Sequence, residues 1–153
     1  MSKVGSKDSE QAAKDIAKKL LAKKSTIYTI SPIQVEGAKQ LETLEELKKI
    51  KLDLVITLGG DGTTLRVFRN LDNETPILTI NVGGNRGILA EITYDEIDVA
   101  IDQMLKSEFF LDKRIRVVAS CGGEEFPPAL NEIYINRSNL TKTSEINIKF
   151  QND

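Results

Sequence analysis

From Ser6 onward, Ala12, Ala13, Ile16, Ala17, Leu20 and Leu21 recur one and four residues apart with Lys and Asp between them. That period lines one stripe of an amphipathic helix, and Ser6 or Asp8 can cap its start. The β-branched and aromatic "TIYTI", residues 26–30, ends near Pro32 and predicts a short strand. In "EGAKQLETLEELKKI", residues 36–50, Leu41, Leu44 and Leu47 step by three beside Glu/Lys pairs, which predicts a second helix. "DLVITL", residues 53–58, is a continuous apolar strand of the kind that helices cover on both faces. After a glycine turn, "TTLRVFRNL" from Thr63 sets Leu65, Phe68 and Leu71 at helical spacing. The strand "PILTIN", residues 76–81, runs into a second glycine loop, "VGGNRG" at 82–87. A helix follows in "YDEIDVAIDQMLKS", with Ile97, Ala100, Ile101, Met104 and Leu105 on one face.

Helix and strand alternate in this order, which predicts an α/β fold with a parallel, helix-covered sheet over residues 1–108. Past Phe109 the pattern changes to strand-like alternation in "FFLDKRIRVVASC", "ALNEIYINR" and "EINIKF". Residues 109–153 are therefore expected to begin a β-rich, sandwich-like domain. An α/β domain ordinarily opens on a strand, yet only "KVG" precedes the first helix, and the last alternating segment needs strand partners. Both ends are expected to be truncated.

The chain has 153 residues and 40% hydrophobic content, enough for a real core. Its 21 Lys and Arg against 23 Asp and Glu give a net charge of −2, so no broad nucleic-acid footprint or polybasic membrane patch is expected. With one cysteine, Cys121, and no histidine, Cys/His metal sites, a histidine base and a disulfide framework are all excluded. Cys121 reads as a small strand residue. No apolar run approaches the ~20 residues of a membrane helix and no signal-peptide core is present, so a cytoplasmic location is the expectation.

Chemistry is left to carboxylates, amides, hydroxyls and cations. Ligands of parallel α/β sheets gather at the carboxyl ends of strands, where both glycine loops fall. Glycines permit close approach, and the following helix start offers N–H groups to an anion. "GGDGTT" lacks the Lys-Ser/Thr ending of a P-loop and the dinucleotide G-x-G-x-x-G pattern. An acid in such a turn has a role if it faces a nucleophile: a carboxylate can accept the proton of a hydroxyl attacking a phosphoryl group, or help to hold Mg²⁺. Phosphoryl transfer to an alcohol is the reaction class this favours.

Gly59-Gly60-Asp61-Gly62-Thr63, followed by "TLR", resembles the NAD kinase family. "PILTIN" with "GNRGILAEI" resembles the family's second loop, and "ALNEIYINR" resembles its Asn-Glu element at the start of a β-rich domain. The resemblance implies transfer of the γ-phosphoryl group of ATP, or of polyphosphate, to the 2′-hydroxyl of the adenosine ribose of NAD, giving NADP. It implies that Asp61 accepts the hydroxyl proton, that Gly62 lines the same pocket, and that Arg66 contacts the dinucleotide. Asn131 and Glu132 would bind the ribose hydroxyls and adenine side of NAD, with Lys142 a looser match to a further contact. Gly59, Gly60, Thr63, Asn81, Gly83, Gly84 and Gly87 would form the ATP and phosphate loops. Mg²⁺ or another divalent cation would arrive with ATP, with no dedicated protein ligands identified. The complete protein would be a homo-oligomer, a dimer or tetramer, with neither nucleic acid nor membrane as partner.

The second loop has one residue more between Asn81 and Gly87 than the family spacing, and Ile88 where Phe is usual. The family's later Gly-Asp-Gly and Ser/Thr-rich signature is absent from these residues. The 153 residues alone are therefore expected to be weakly active or inactive. A lipid or diacylglycerol kinase shares the acidic turn but generally follows it with an Asn-Glu pair, where this chain has "TTLRVFR". A non-catalytic NAD(P)-binding module is the remaining alternative.

Overall fold

The computed structural model describes residues 1–3, 5–71, 75–83, 87–136, 143 and 145–149. Helix α1, Lys7–Ala22, follows Ser6, whose Oγ accepts the Ser9 N–H at 3.3 Å, so Ser6 is the cap. Strands β1, Tyr28–Ile30, and β2, Lys39–Leu41, pair in parallel as a small sheet of their own. Strands β3, Val55–Leu58, β4, Ile77–Asn81, and β5, Ile92–Thr93, form a second parallel sheet in the order β3-β4-β5. Helix α2, Asp61–Phe68, crosses from β3 to β4, and helix α3, Ile97–Leu105, follows a 3-10 turn at Tyr94–Glu96.

Both faces of the second sheet are covered, which accounts for the unbroken apolar character of "DLVITL". The strand period of two divides its side chains. Leu58 and Ile80, with Ile56 and Leu78 beside them, pack on Ala12, Ala13, Ile16 and Leu20 of α1 and on Ile97 and Ile101 of α3. Val55 and Ile77 point the other way, toward Val67 of α2 and toward Leu44 and Leu47. Along the outer edges of α1 and α3, Lys19 meets Asp98 at 2.5 Å and Lys23 meets Asp102 at 2.7 Å. These exposed pairs fix the alignment of the two helices more than they stabilise the fold.

The helix expected in residues 36–50 is not formed. Its leucines are divided between the end of β2, at Leu41, and a 3-10 helix, Leu44–Lys49, and all three are buried. A step of three without the alternating step of four is the period of a 3-10 helix, whose side chains eclipse every third residue. Thr43 and Glu46 form a capping box at its start, with the Thr43 N–H donating to Glu46 Oε1 at 2.8 Å. Strand β5 has no counterpart in the sequence reading, because two residues are too few to show a period.

The chain also opens on extended backbone. Ser2 bridges Leu58 in parallel, the Leu58 N–H donates to Met1 O at 2.7 Å, and the Lys3 N–H donates to Leu58 O at 2.8 Å. Residues 1–3 thus lie in parallel beside the end of β3, joined to it by an isolated bridge. Beyond α3, β6, Ser120–Cys121, and β7, Glu124–Glu125, make an antiparallel hairpin extended by mutual 2.8 Å bonds between Val117 and Ala129. Cys121 lies in β6 and is exposed. The later alternating segments form no ladder among the described residues.

The α-amino group of Met1 donates to Ile56 O at 2.7 Å, and loss of water around it lowers its pKa from 8.0 to about 6. The folded state therefore favours the neutral amine. Stability from this group is complete above pH 8.0, falls as the pH drops toward about 6, and changes no further below that value. A two-unit difference corresponds to about 2–3 kcal/mol. With no histidine to titrate in this window, the urea midpoint of the 153-residue chain is expected to fall between pH 8.5 and pH 5.5. A flat midpoint across that range would show the amine to be solvated in the folded chain.

Candidate active site

Strand β3 ends at Leu58, and the chain turns through Gly59 and Gly60 directly into α2. Gly59 has φ +147°, and a Cβ there would lie 2.7 Å from Thr63 Oγ1, so both the backbone angle and the packing demand glycine. Its N–H donates to Ile80 O at 2.9 Å, which ties the turn to the neighbouring strand. Gly60 is the N-cap, and Asp61 is the first residue of the helix rather than part of a loop before it. An acid in that first turn complements the positive end of the helix dipole.

The carboxylate of Asp61 is turned toward the second glycine loop. The Ile88 N–H donates to Oδ2 and the Leu89 N–H donates to Oδ1, each at 3.0 Å. Gly87 lies against the same carboxylate so closely that a Cβ there would overlap it. Two loops distant in sequence thus form one unit, with an acid from the β3 end and amides from the stretch between β4 and β5. A carboxylate offers about four lone-pair positions, and the two amides fill one on each oxygen. Acceptor capacity remains for a hydroxyl donor, on a group whose direction is already fixed.

The glycines separate into two kinds. Gly59 and Gly87 are required by the protein's own atoms, whereas a Cβ at Gly60 or Gly62 would meet nothing within 4 Å. Open space at the start of a helix, next to an oriented acid, is where a ligand can approach the backbone. Thr63 is half-buried over Gly59, Asn81 is buried at the end of β4 opposite Thr93, and Gly83 follows it. Gly84 and Lys142 lie outside the described residues.

Arg66 sits elsewhere. It is exposed and, with Asn70, lines a cleft of about 400 Å³ bounded by Glu10, Glu42 and Glu45 at the ends of the smaller sheet. Glu45 is held below the ordinary carboxylate range by a backbone N–H and by the Thr43 hydroxyl, with Arg66 adding a weaker attraction. Five residues of helix turn Arg66 about 140° away from Asp61, so the two serve different walls. Asn131 and Glu132 are exposed just beyond the hairpin and are not among the described hydrogen-bond partners of Asp61. Two features escape sequence reasoning. The amides of Ile88 and Leu89 carry no side-chain signature, and the buried Thr57, Thr64 and Thr79 stand where apolar residues would also fit.

The two kinds of glycine have opposite expected responses to alanine. Gly87→Ala drives a methyl into the Asp61 carboxylate and is expected to cost about 1–3 kcal/mol in chemical denaturation. Gly62→Ala, in open space within α2, is expected to stabilise by roughly 0.5–1 kcal/mol. Equal midpoints for the two variants would contradict this division.

Residues 2–109 match the family described as the ATP-NAD kinase N-terminal domain. The chain is 39% identical over 94 residues to the NAD kinase of Thermococcus sibiricus, a match covering 61% of this chain and 34% of that protein. It is 41% identical over 111 residues to the NAD kinase of Caldicellulosiruptor bescii, covering 71% and 42% respectively. Yeast NADH kinase, solved in complex with NADH, has the same fold with a TM-score of 0.65 at 17% identity, over 77% of this chain and 40% of that one. The chain thus spans less than half the length of these relatives. The family match takes in every strand of the parallel sheet together with both loops that meet at Asp61, and the chain belongs to the ATP-NAD kinase family.

Proposed function

We propose that the protein phosphorylates the 2′-hydroxyl of the adenosine ribose of NAD, with ATP or polyphosphate as donor, to give NADP. The observation that carries this reading is the Asp61 carboxylate, held by the Ile88 and Leu89 amides beside the open space at Gly60 and Gly62. In the transfer, O2′ bonds to the γ-phosphorus as its proton passes to a free lone pair of Asp61. The bond from that phosphorus to the β-phosphate oxygen breaks, and ADP leaves with the electron pair. Because the acid is already anchored, no reorganisation of the base is needed as the hydroxyl attacks.

The other assignments rest on the family resemblance. Gly59, Gly60 and Thr63, with Asn81, Gly83, Gly84 and Gly87, are assigned to the ATP and phosphate loops, and Gly62 to the pocket of Asp61. Arg66 is assigned a contact to the dinucleotide, and Asn131 and Glu132 its ribose hydroxyls and adenine side, with Lys142 a looser match by resemblance alone. Among the described residues no group of three or more Asp, Glu, Cys or His could hold a metal ion. By the family resemblance a divalent cation would arrive with the nucleotide, bound through phosphate oxygens and water. The relatives, named as NAD kinases, support the reading, as does the NADH in the yeast enzyme's complex.

Residues 109–153 are read as the opening of a β-rich unit. The hairpin across 117–129 supports this, as do apolar side chains such as Phe110 and Ile115 that remain exposed. A homo-oligomeric, cytoplasmic protein fits the family. Among the described residues no helix is long and apolar enough to cross a membrane.

The test is incubation of the protein, as the cell makes it, with ATP, Mg²⁺ and NAD, followed by detection of NADP with an NADP-specific dehydrogenase. NADP is expected, and Asp61→Asn is expected to reduce turnover by roughly 10²–10⁴-fold. A folded protein that forms no NADP would sink the kinase reading. Phosphorylation of diacylglycerol would favour a lipid kinase instead, and NAD binding without turnover a non-catalytic module.

A further inference from the structure

One polar cluster interrupts the apolar interface between α2 and the larger sheet. Thr57 of β3 and Thr79 of β4 are cross-strand partners on the face that α2 covers, and Thr64 descends on them from the helix. They are 0%, 2% and 2% exposed. Their Oγ1 atoms stand 3.1 Å apart for Thr57 and Thr64, 3.1 Å for Thr57 and Thr79, and 2.9 Å for Thr64 and Thr79. Three hydroxyls so placed close a ring in which each donates once and accepts once, so the polar atoms satisfy one another.

Burial alone does not require threonine here, because Val55, Val67 and Ile77 fill the same layer with methyl groups. What hydroxyls provide and methyls cannot is proximity. Oxygens in a hydrogen bond approach to about 2.7–3.0 Å, whereas carbons stay about 3.5–4.0 Å apart. Valine at these positions would lift α2 from the sheet by a substantial fraction of an ångström.

The ring's connections lead to both halves of the site. Thr64 is three residues beyond Asp61 in the same helix. Thr79 O accepts the Glu91 N–H at 3.0 Å, two residues beyond Leu89, whose amide holds the Asp61 carboxylate. Ile80 O, next in β4, accepts the Gly59 N–H at 2.9 Å. One strand residue pair thus anchors the acid's helix and the loop that orients the acid.

We infer that the Thr57–Thr64–Thr79 hydroxyl ring is a positioning device for phosphoryl transfer, setting the height of α2 so that Asp61 stays in register with the Ile88 and Leu89 amides. Its kinetic consequence rests on the kinase reading, and its structural consequence does not. A displacement of about 1 Å at a reacting group can cost on the order of 100-fold in rate. Thr64→Val, which keeps shape and removes the hydroxyl, is expected to lower kcat on the order of 10- to 100-fold with little change in KM for NAD. Thr64→Ser, which keeps the hydroxyl and loses the methyl, is expected to recover most of kcat.

Amide hydrogen exchange of the 153-residue chain supplies the second measurement. Thr64→Val is expected to speed exchange at Ile88 and Leu89 by roughly tenfold relative to the amides of α1, while Thr64→Ser leaves those two protected. If Thr64→Val does not fold, the triple variant T57V/T64V/T79V leaves no orphan hydroxyl and takes its place in both measurements. Unchanged exchange at Ile88 and Leu89 in the valine variant, or equal losses in the serine and valine variants, would overturn the inference. Absence of NADP from the parent protein would remove the kinase reading while the exchange result still decided the role of the ring.

Discussion

The grip of two backbone N–H groups on the Asp61 carboxylate is the contact on which the surrounding architecture depends. It demands that the ends of β3 and β4 lie side by side, since the acid follows one strand and the amides follow the other. Four register pairs, from Val55–Ile77 to Leu58–Ile80, secure that arrangement. It also demands glycine at residue 87, because no side chain fits between the two loops. The energetic logic is general. A carboxylate held only by solvent would sample many directions, whereas one bound by fixed amides presents its remaining lone pairs along few.

That contact also resolves the paradox of an acid in a phosphate-binding type of turn. The helix start attracts anions, and a free carboxylate there would compete with them. Asp61 is directed toward the other loop, and the positions at Gly60 and Gly62 stay open. The positive helix end and the carboxylate thus lie beside each other, with the carboxylate already bound by two amides. Arg66, on another side of the same helix, places its charge in a separate cleft with three carboxylates around it. One short helix thus presents side chains to two regions of space.

The sheet that supports this arrangement is asymmetric in chemistry. Its α1 and α3 face is apolar throughout, built from Leu58, Ile80, Ile97 and Ile101. Its α2 face carries Thr57 and Thr79, which Thr64 of α2 meets, beside the apolar Val55 and Ile77. On the first face aliphatic burial supplies the stabilisation. Precision is concentrated on the second, where hydrogen bonds impose shorter and more directional separations than dispersion contacts do.

Much of this was legible in the chain itself, because local periodicity and side-chain chemistry are written there. The amphipathic stripe of α1, the apolar runs of β3 and β4 and the order of motifs around Gly59–Thr63 determined the α/β class, the family and the identity of the acid. Other features depend on residues that meet only after folding. Leu41, Leu44 and Leu47 carried a period of three whose reading as strand end plus 3-10 helix required neighbours to pack against. Ser2 bridges Leu58 only because the end of β3 offered an edge. The direction of Asp61, the amides that hold it, the exclusion of a side chain at Gly87 and the closure of the threonine ring were decided by tertiary structure alone. Backbone donors have no residue type, and a hydroxyl's partner 7 to 22 residues away is fixed by register and helix height, which local sequence does not encode.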